Sequence, residues 1–191
     1  MKYYPKVKQF VDEAFLKMGD DHNLRHFERT VYWLKQLKSD ADEAFLIAAY
    51  AHDVERAFRE DDVRQMLYDP GRKFNDLEYM SLHSRKGAEV VGQFLKEQGA
   101  GPELIERVKD LISKHEVGGT NDQNLLKDVD SLSFLENNIK HFTTKKAAEH
   151  GVDKVRVKFD WMFNRITSEK AKEIARPWYE AALKKLELTK K

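Results

Sequence analysis

The sequence predicts an all-α, single-domain helical bundle, and three observations carry that prediction. Apolar residues recur at the 3.6-residue spacing of amphipathic helices along almost the whole chain. Only four prolines and nine glycines punctuate it, too few for the many turns of a sandwich or barrel. A length of 191 residues suits one domain around one core, so residues 1–191 are read as a single unit without repeats or linkers.

Each helix has its own warrant. Val7, Phe10, Val11, Ala14 and Phe15 form the apolar stripe of the first, and Phe27, Val31, Leu34 and Leu37 that of the second. From Asp42 to Ala51 nearly every residue is apolar (Ala44, Phe45, Leu46, Ile47, Ala48, Ala49), the pattern of a helix enclosed by others. Asp69-Pro70-Gly71 signals a turn, and the polar stretch from Arg72 to Asp76 extends it into a surface loop. The helical period resumes from Ser84 to Glu97 through Ala88, Val91 and Leu95, and Gly99-Ala100-Gly101-Pro102 stops that helix and starts the next, Leu104 to His115. After the Gly118–Asp122 turn, helices are expected over Leu125 to Ile139, Val152 to Ile166 and Ser168 to Leu188. Val152 to Phe159 alternates apolar and polar residues as a strand would, but a lone strand has no partner, so it is assigned to a helix.

Composition excludes several function classes. Lys+Arg total 34 against 33 Asp+Glu, a formal charge of +1 that disfavours a nucleic-acid partner, since that partner is bound through a strongly basic surface. The longest apolar run, Ala44 to Ala51, is far short of the roughly 20 residues of a membrane span, so no membrane partner is expected. The first residues, MKYYPKVKQFVDEAFLKMGDD, lack the apolar stretch and small-residue cleavage site of a signal peptide, and there is no cysteine; both suggest a cytoplasmic protein. Without thiolates, any metal has to be held by His, Asp and Glu.

The seven histidines stand at positions 22, 26, 52, 83, 115, 141 and 150, most of them at helix ends or in polar segments bordering apolar helices. A His or Asp at the edge of a buried helix must be compensated by a hydrogen bond, an ion pair or a metal. His52-Asp53 closes the most apolar helix of the chain. As a dipeptide it is weak evidence.

In series the evidence is more specific: His26 in DDHNLRHFERTV, His52-Asp53 in AAYAHDVER, His83 in SLHSRKGAEV, His115 in LISKHEVGG and Asp130 in LLKDVDSLSFL. This ordered H…HD…H…H…D pattern resembles the HD-domain superfamily of metal-dependent phosphohydrolases from about His22 onward, and RITSEKAKEIARPWYEAAL is similar to the last helix of small single-domain bacterial members. The resemblance implies that His26, His52, Asp53 and Asp130 hold a divalent ion. It further implies that His83 and His115 hold a second, with Asp53 bridging, or contact substrate phosphate; of the two, the second ion is preferred because a neutral imidazole is the cheaper group to bury. Asp130 is taken over Asp128 as the last ligand because the family's is followed by a polar residue and Leu, as in Asp130-Ser131-Leu132.

Imidazole and carboxylate donors suit Mn, Fe, Co, Ni, Mg or Zn, as one or two ions. The implied activity is hydrolysis of a phosphate ester of a nucleotide or another small phosphorylated substrate, with Asp53, His83 and His115 as the catalytic set. Arg29, Lys86 and Arg165 are the candidates for contacting its phosphate, Arg29 because it sits in the His26 motif; Arg85 and Lys114 are expected to be solvated. His22, one turn before His26, is a candidate for orienting a ligand. Glu55 and the run Glu60-Asp61-Asp62 are read as a solvated acidic face, His141 and His150 as surface residues. The loop Asp69–Asp76 and the 118–124 turn are expected to line the pocket. Two rivals share the ligands: a di-iron oxygenase, and a non-catalytic module in which the metal staples helices or the pocket senses a nucleotide.

Overall fold

The structure is a computed structural model that describes residues 1–19, 22–59, 61 and 76–189. Among them every regular element is helical: α1 (Tyr4–Lys17), α2 (His22–Leu37), α3 (Glu43–Ala51), a short 3₁₀ turn (Val54–Ala57), α4 (Leu77–Glu97), α5 (Pro102–Ser113), α6 (Asn121–Asn137), α7 (Ile139–His141), a π turn (Phe142–Lys146), α8 (Ala147–His150), α9 (Val152–Asn164) and α10 (Glu169–Thr189). The all-α expectation holds, and the alternating Val152–Phe159 stretch is helical. The turn expected at Asp69-Pro70-Gly71, the loop from Arg72 to residue 75, and Glu60 and Asp62 of the acidic run lie outside the described residues.

Helix α3 occupies the centre. The Asp42 side chain caps it by accepting from the Phe45 N–H at 2.8 Å, and every residue from Ala44 to Ala51 is buried. Around it pack Val7, Val11 and Phe15 of α1, Phe27 and Leu34 of α2, Val91 and Leu95 of α4, and Val108 and Ile112 of α5. A second cluster joins Leu132, Phe134 and Leu135 of α6 to Phe159 and Met162 of α9 and Ala175 and Ala182 of α10. Helix α6 thus contributes Leu126 and Val129 to the first cluster and Leu132 and Leu135 to the second, and it carries Asp130 at the seam.

Three boundaries differ from the sequence reading. Helix α6 begins at Asn121, four residues before the expected Leu125, because Thr120 and Gln123 form a capping box there. Helix α4 begins at Leu77, seven residues before the expected Ser84, with Asp76 as cap accepting from Tyr79 N–H at 2.8 Å. Its first buried face is Met80, His83, Ser84 and Gly87, mostly polar or small, so it leaves little apolar period to detect. Residues 140–150, assigned to no element from sequence, are helical through the π turn, which carries Phe142 against Phe134 at a centroid distance of 4.9 Å. Gly87 permits a close approach: a Cβ there would lie 3.3 Å from the His52 carbonyl oxygen. A side chain at this position would push α4, and with it His83, away from the end of α3.

Asp128 turns away from the seam and holds the start of α10, accepting from the Thr167 and Ser168 N–H groups at 2.8 Å each and from the Thr167 hydroxyl. Asp128→Ala is expected to destabilise the fold by about 1–3 kcal/mol, the cost of a lost helix cap and unpaired backbone donors, with Asp128→Asn recovering part of it. Denaturant unfolding measures this, and an unchanged midpoint in the alanine variant would refute the capping role.

Candidate metal centre

The end of α3, the middle of α2 and the middle of α6 bring three Nε2 or carboxylate groups together. His26 Nε2 lies 3.2 Å from His52 Nε2 and 3.2 Å from Asp130 Oδ1, and His52 Nε2 lies 3.5 Å from the same Asp130 oxygen. Asp53, one residue beyond His52, turns Oδ2 to 3.8 Å from His52 Nε2. Its other oxygen faces a different set: Oδ1 is 2.8 Å from His83 Nε2 on α4 and 3.8 Å from His115 Nε2 at the end of α5. The donors fall into three groups, each within 4.8 Å: His26, His52 and Asp53; Asp53, His83 and His115; and His115, Glu116 and Asp130. All are buried.

The opposite edge of each ring is anchored. His26 Nδ1–H donates to the Ser133 hydroxyl at 2.8 Å, which donates in turn to the His26 carbonyl at 2.7 Å. His52 Nδ1–H donates to the Ala49 carbonyl at 3.1 Å, and His115 Nδ1–H to the Ile112 carbonyl at 2.8 Å. With the proton fixed at Nδ1, each Nε2 presents its lone pair to the centre, the arrangement that a metal-ligating histidine requires. The Nε2 of His115 is buried and has no hydrogen-bond partner among the described residues. Such an orphaned acceptor, aimed at two carboxylates, fits a cation. His83 differs in that Nδ1 is held by the Glu55 carboxylate at 2.6 Å, and Glu55 is itself held by Arg59.

Charge follows position. Burial holds the His115 imidazole down to about 4, so that it is neutral at pH 7. Burial acts on His83 in the same direction, but its bonds to Asp53 and Glu55 outweigh it and push the ring up to about 9. Burial would also raise Glu55, yet His83 and Arg59 hold it down to about 2. The two imidazoles thus border one carboxylate with opposite proton preferences; without an ion the proton on His83 supplies positive charge that the buried Asp53 needs, and a cation bound between them would take the place of the proton at Nε2.

Beside the ligands lies a cavity of ≈ 50 Å³, lined by His26, Asp53 and Asp130, by the cations Arg56, Lys158 and Arg165, and by Phe134, Phe142, Met162 and Asn138. Arg56 meets Asp53 Oδ2 at 2.8 Å. Arg165 pairs with both Asp130 Oδ2 and Glu116, and donates to the Ser131 hydroxyl at 2.7 Å. Asp130 therefore gives one oxygen to the histidines and the other to Arg165.

The six ligand candidates His26, His52, Asp53, His83, His115 and Asp130 converge, and Arg165 reaches the cavity with them. Arg29 does not: its guanidinium forms two bonds to Glu136, at 2.8 and 2.7 Å, and stacks on Tyr32, locking α2 to α6. Lys86 lies in a separate surface cleft with Phe10, Phe58 and Phe94 and does not line the cavity beside the ligands. His22 stacks on His141 instead of orienting a ligand, and Ser133 fills that role for His26. Glu55, read as solvated, is 1 % exposed and holds His83. The 118–124 turn does not line the cavity. Glu116, Ser133, Lys158 and Arg56 were not found from sequence, although Ser133 follows Asp130 by three residues and Lys158 precedes Arg165 by seven, spacings that share a helix face.

This architecture is the HD-domain type of all-α fold. A solved structure described as a predicted HD superfamily hydrolase from an uncultured Thermotogales bacterium superposes with a TM-score of 0.58 at 20 % sequence identity, over 98 % of this chain and 91 % of that one. The chain belongs to the family named domain of unknown function DUF4202, which matches residues 8–183. No protein with a curated description matches it in sequence. Among the described residues no helix is long and apolar enough to cross a membrane.

Protein purified without chelator is expected to carry between one and two divalent transition-metal ions per chain by elemental analysis, and His115→Ala to carry about one fewer than a fully loaded parent. Finding no metal, even after reconstitution, would remove the basis for a metal centre.

Proposed function

We propose that the protein is a metal-dependent phosphohydrolase acting on a phosphate ester of a nucleotide or other small phosphorylated metabolite. The observation that carries this reading is Asp53, whose two oxygens face separate histidine sets, with His26, His52 and Asp130 on one side and His83 and His115 on the other. In this reading the first set and Asp53 hold one ion, and Asp53, His83 and His115 hold the second. Nitrogen and oxygen donors without sulfur suit Mn, Fe, Co, Ni, Mg or Zn. A divalent ion held there supplies Lewis acidity toward a phosphoryl oxygen and an activated water for attack on phosphorus.

The remaining work falls to the chain. Ser133, the Ala49 and Ile112 carbonyls and Glu55 fix the imidazoles, so that no reorientation is needed when substrate arrives. Arg165 holds Asp130 and Glu116 in place, and Arg56 and Lys158 add positive charge on the cavity side where a phosphate would enter. The net reaction adds a water oxygen to phosphorus, breaks the bond to the ester oxygen, and leaves one proton of the water on the departing alcohol. The cationic lining fits an anionic substrate such as a phosphate ester. A cavity next to the ligands also favours catalysis over a purely structural metal, which needs no open side.

Asp53→Ala removes the carboxylate common to both sets. It is expected to lower hydrolysis of phosphate monoesters and nucleotides by at least about 10³-fold in metal-loaded protein, with helical circular dichroism retained. Turnover near that of the parent would rule out the reading, as would a metal-loaded parent inert toward a broad panel of phosphate esters.

A further inference from the structure

Three cations line the cavity, and two of them are already matched. Arg56 is paired with Asp53, and Arg165 with Asp130 and Glu116. Lys158 is different. Its Nζ lies 4.6 Å from the centre of the Trp161 ring and 5.5 Å from that of Phe134, and among the described residues no carboxylate stands within ion-pair distance of it. Aromatic faces attract an ammonium, but they compensate a partly buried charge incompletely. An anion entering the cavity would complete the compensation.

The cavity holds a second incomplete group. Asn138 is 9 % exposed, and its side-chain oxygen is buried without a donor among the described residues. A phosphate at neutral pH offers mainly acceptors, so this oxygen does not suit the phosphate itself. It suits a hydroxyl or amino group.

Both groups belong to helix stripes that line the cavity, one running from the proposed ligand Asp130 and the other from Arg165, which pairs with it. Asp130, Phe134 and Asn138 follow one another at four-residue steps along α6, and Lys158, Met162 and Arg165 share one face of α9. Eight residues of helix rise about 12 Å, so Asn138 stands at the far end from Asp130, with Phe134, Phe142 and Met162 as the apolar surface between. The cavity, at ≈ 50 Å³, has room for a terminal phosphoryl group and the first atoms attached to it.

We propose that Lys158 and Asn138 form the substrate-recognition wall of this cavity: Lys158 takes the terminal phosphate of a phosphomonoester, and Asn138 accepts a hydrogen bond from a hydroxyl or amino group on its alcohol portion. The assignment rests on the phosphohydrolase reading for the identity of the reacting group, and its test uses binding alone so that the two can fail separately.

Inorganic phosphate is titrated calorimetrically into metal-loaded parent, Lys158→Met and Lys158→Arg proteins, with metal content and thermal unfolding measured for each. The methionine variant is expected to bind phosphate at least tenfold more weakly at unchanged metal content, and the arginine variant within about threefold of the parent. For the second half, two non-hydrolysable probes that differ by one hydroxyl, 2-hydroxyethylphosphonate and ethylphosphonate, are compared. The parent is expected to prefer the hydroxylated probe by about fivefold or more, and Asn138→Leu to lose that preference. Equal phosphate affinity in parent and Lys158→Met, a parent that binds no phosphate, or a hydroxyl preference that is absent or survives in Asn138→Leu would overturn the assignment. Protein that passes these tests yet cleaves no ester would refute the hydrolase reading and leave the wall standing; protein that cleaves esters with an indifferent Lys158 would do the reverse.

Discussion

A carboxylate inside a helical core has to be compensated from every direction at which water has been removed, and Asp53, 3 % exposed, imposes that requirement on the whole molecule. Its Oδ1 receives His83 and its Oδ2 receives Arg56, while His52 and His115 close the remaining sides. These groups come from α3, the 3₁₀ turn, α4 and α5, so the geometry around one side chain dictates how four elements approach. The close contact between Gly87 and the His52 carbonyl follows from the same demand, since α4 has to come near enough for His83 to reach Asp53.

Around this carboxylate the charges are layered. Asp53 and Asp130 face the histidines, Arg56 and Arg165 stand behind them, and Glu55 and Glu116 form a further ring, each joined to a cation and close to a ligand histidine. Buried ion pairs are costly when one partner is missing, so each layer tends to fix the one next to it. Helix α6 shows the result locally: Asp128, Asp130, Ser131 and Ser133 are all buried on a helix with little apolar asymmetry, and each is committed to a polar partner. Asp128 holds α10, Asp130 and Ser133 serve the histidines, and Ser131 accepts from Arg165.

What could be read in the sequence followed from how each residue signals itself. Helices with apolar stripes, such as α1 and α2, and the wholly apolar α3 were legible because burial of hydrocarbon leaves a period. The early turns of α4 were not, because their inward face is His83, Ser84 and Gly87. The ligand histidines were legible only as an ordered series set against a known family, since residues on separate helices carry no spacing that reveals convergence. The supporting groups were harder still. Glu55 and Lys158 look like ordinary surface charges in a chain that is 35 % charged, and only the fold shows that one is enclosed against His83 and the other faces the cavity. Arg29 failed for the opposite reason: its place in the His26 motif suggested substrate, whereas its guanidinium is taken up by the Glu136 carboxylate on α6.

The π turn at Phe142–Lys146 has a consequence for how this chain can vary in length. A π turn holds one residue more than the α-helical turn it replaces, and such turns arise naturally by single-residue insertion into a helix. Removing one residue from it would restore a regular helix and rotate everything on one side by about 100° relative to the other. Phe142 would leave the cavity wall, or α8 would lose the phase that buries Ala147. This stretch should therefore tolerate exchange of its exposed side chains, such as Thr144 and Lys145, far better than any change in residue count.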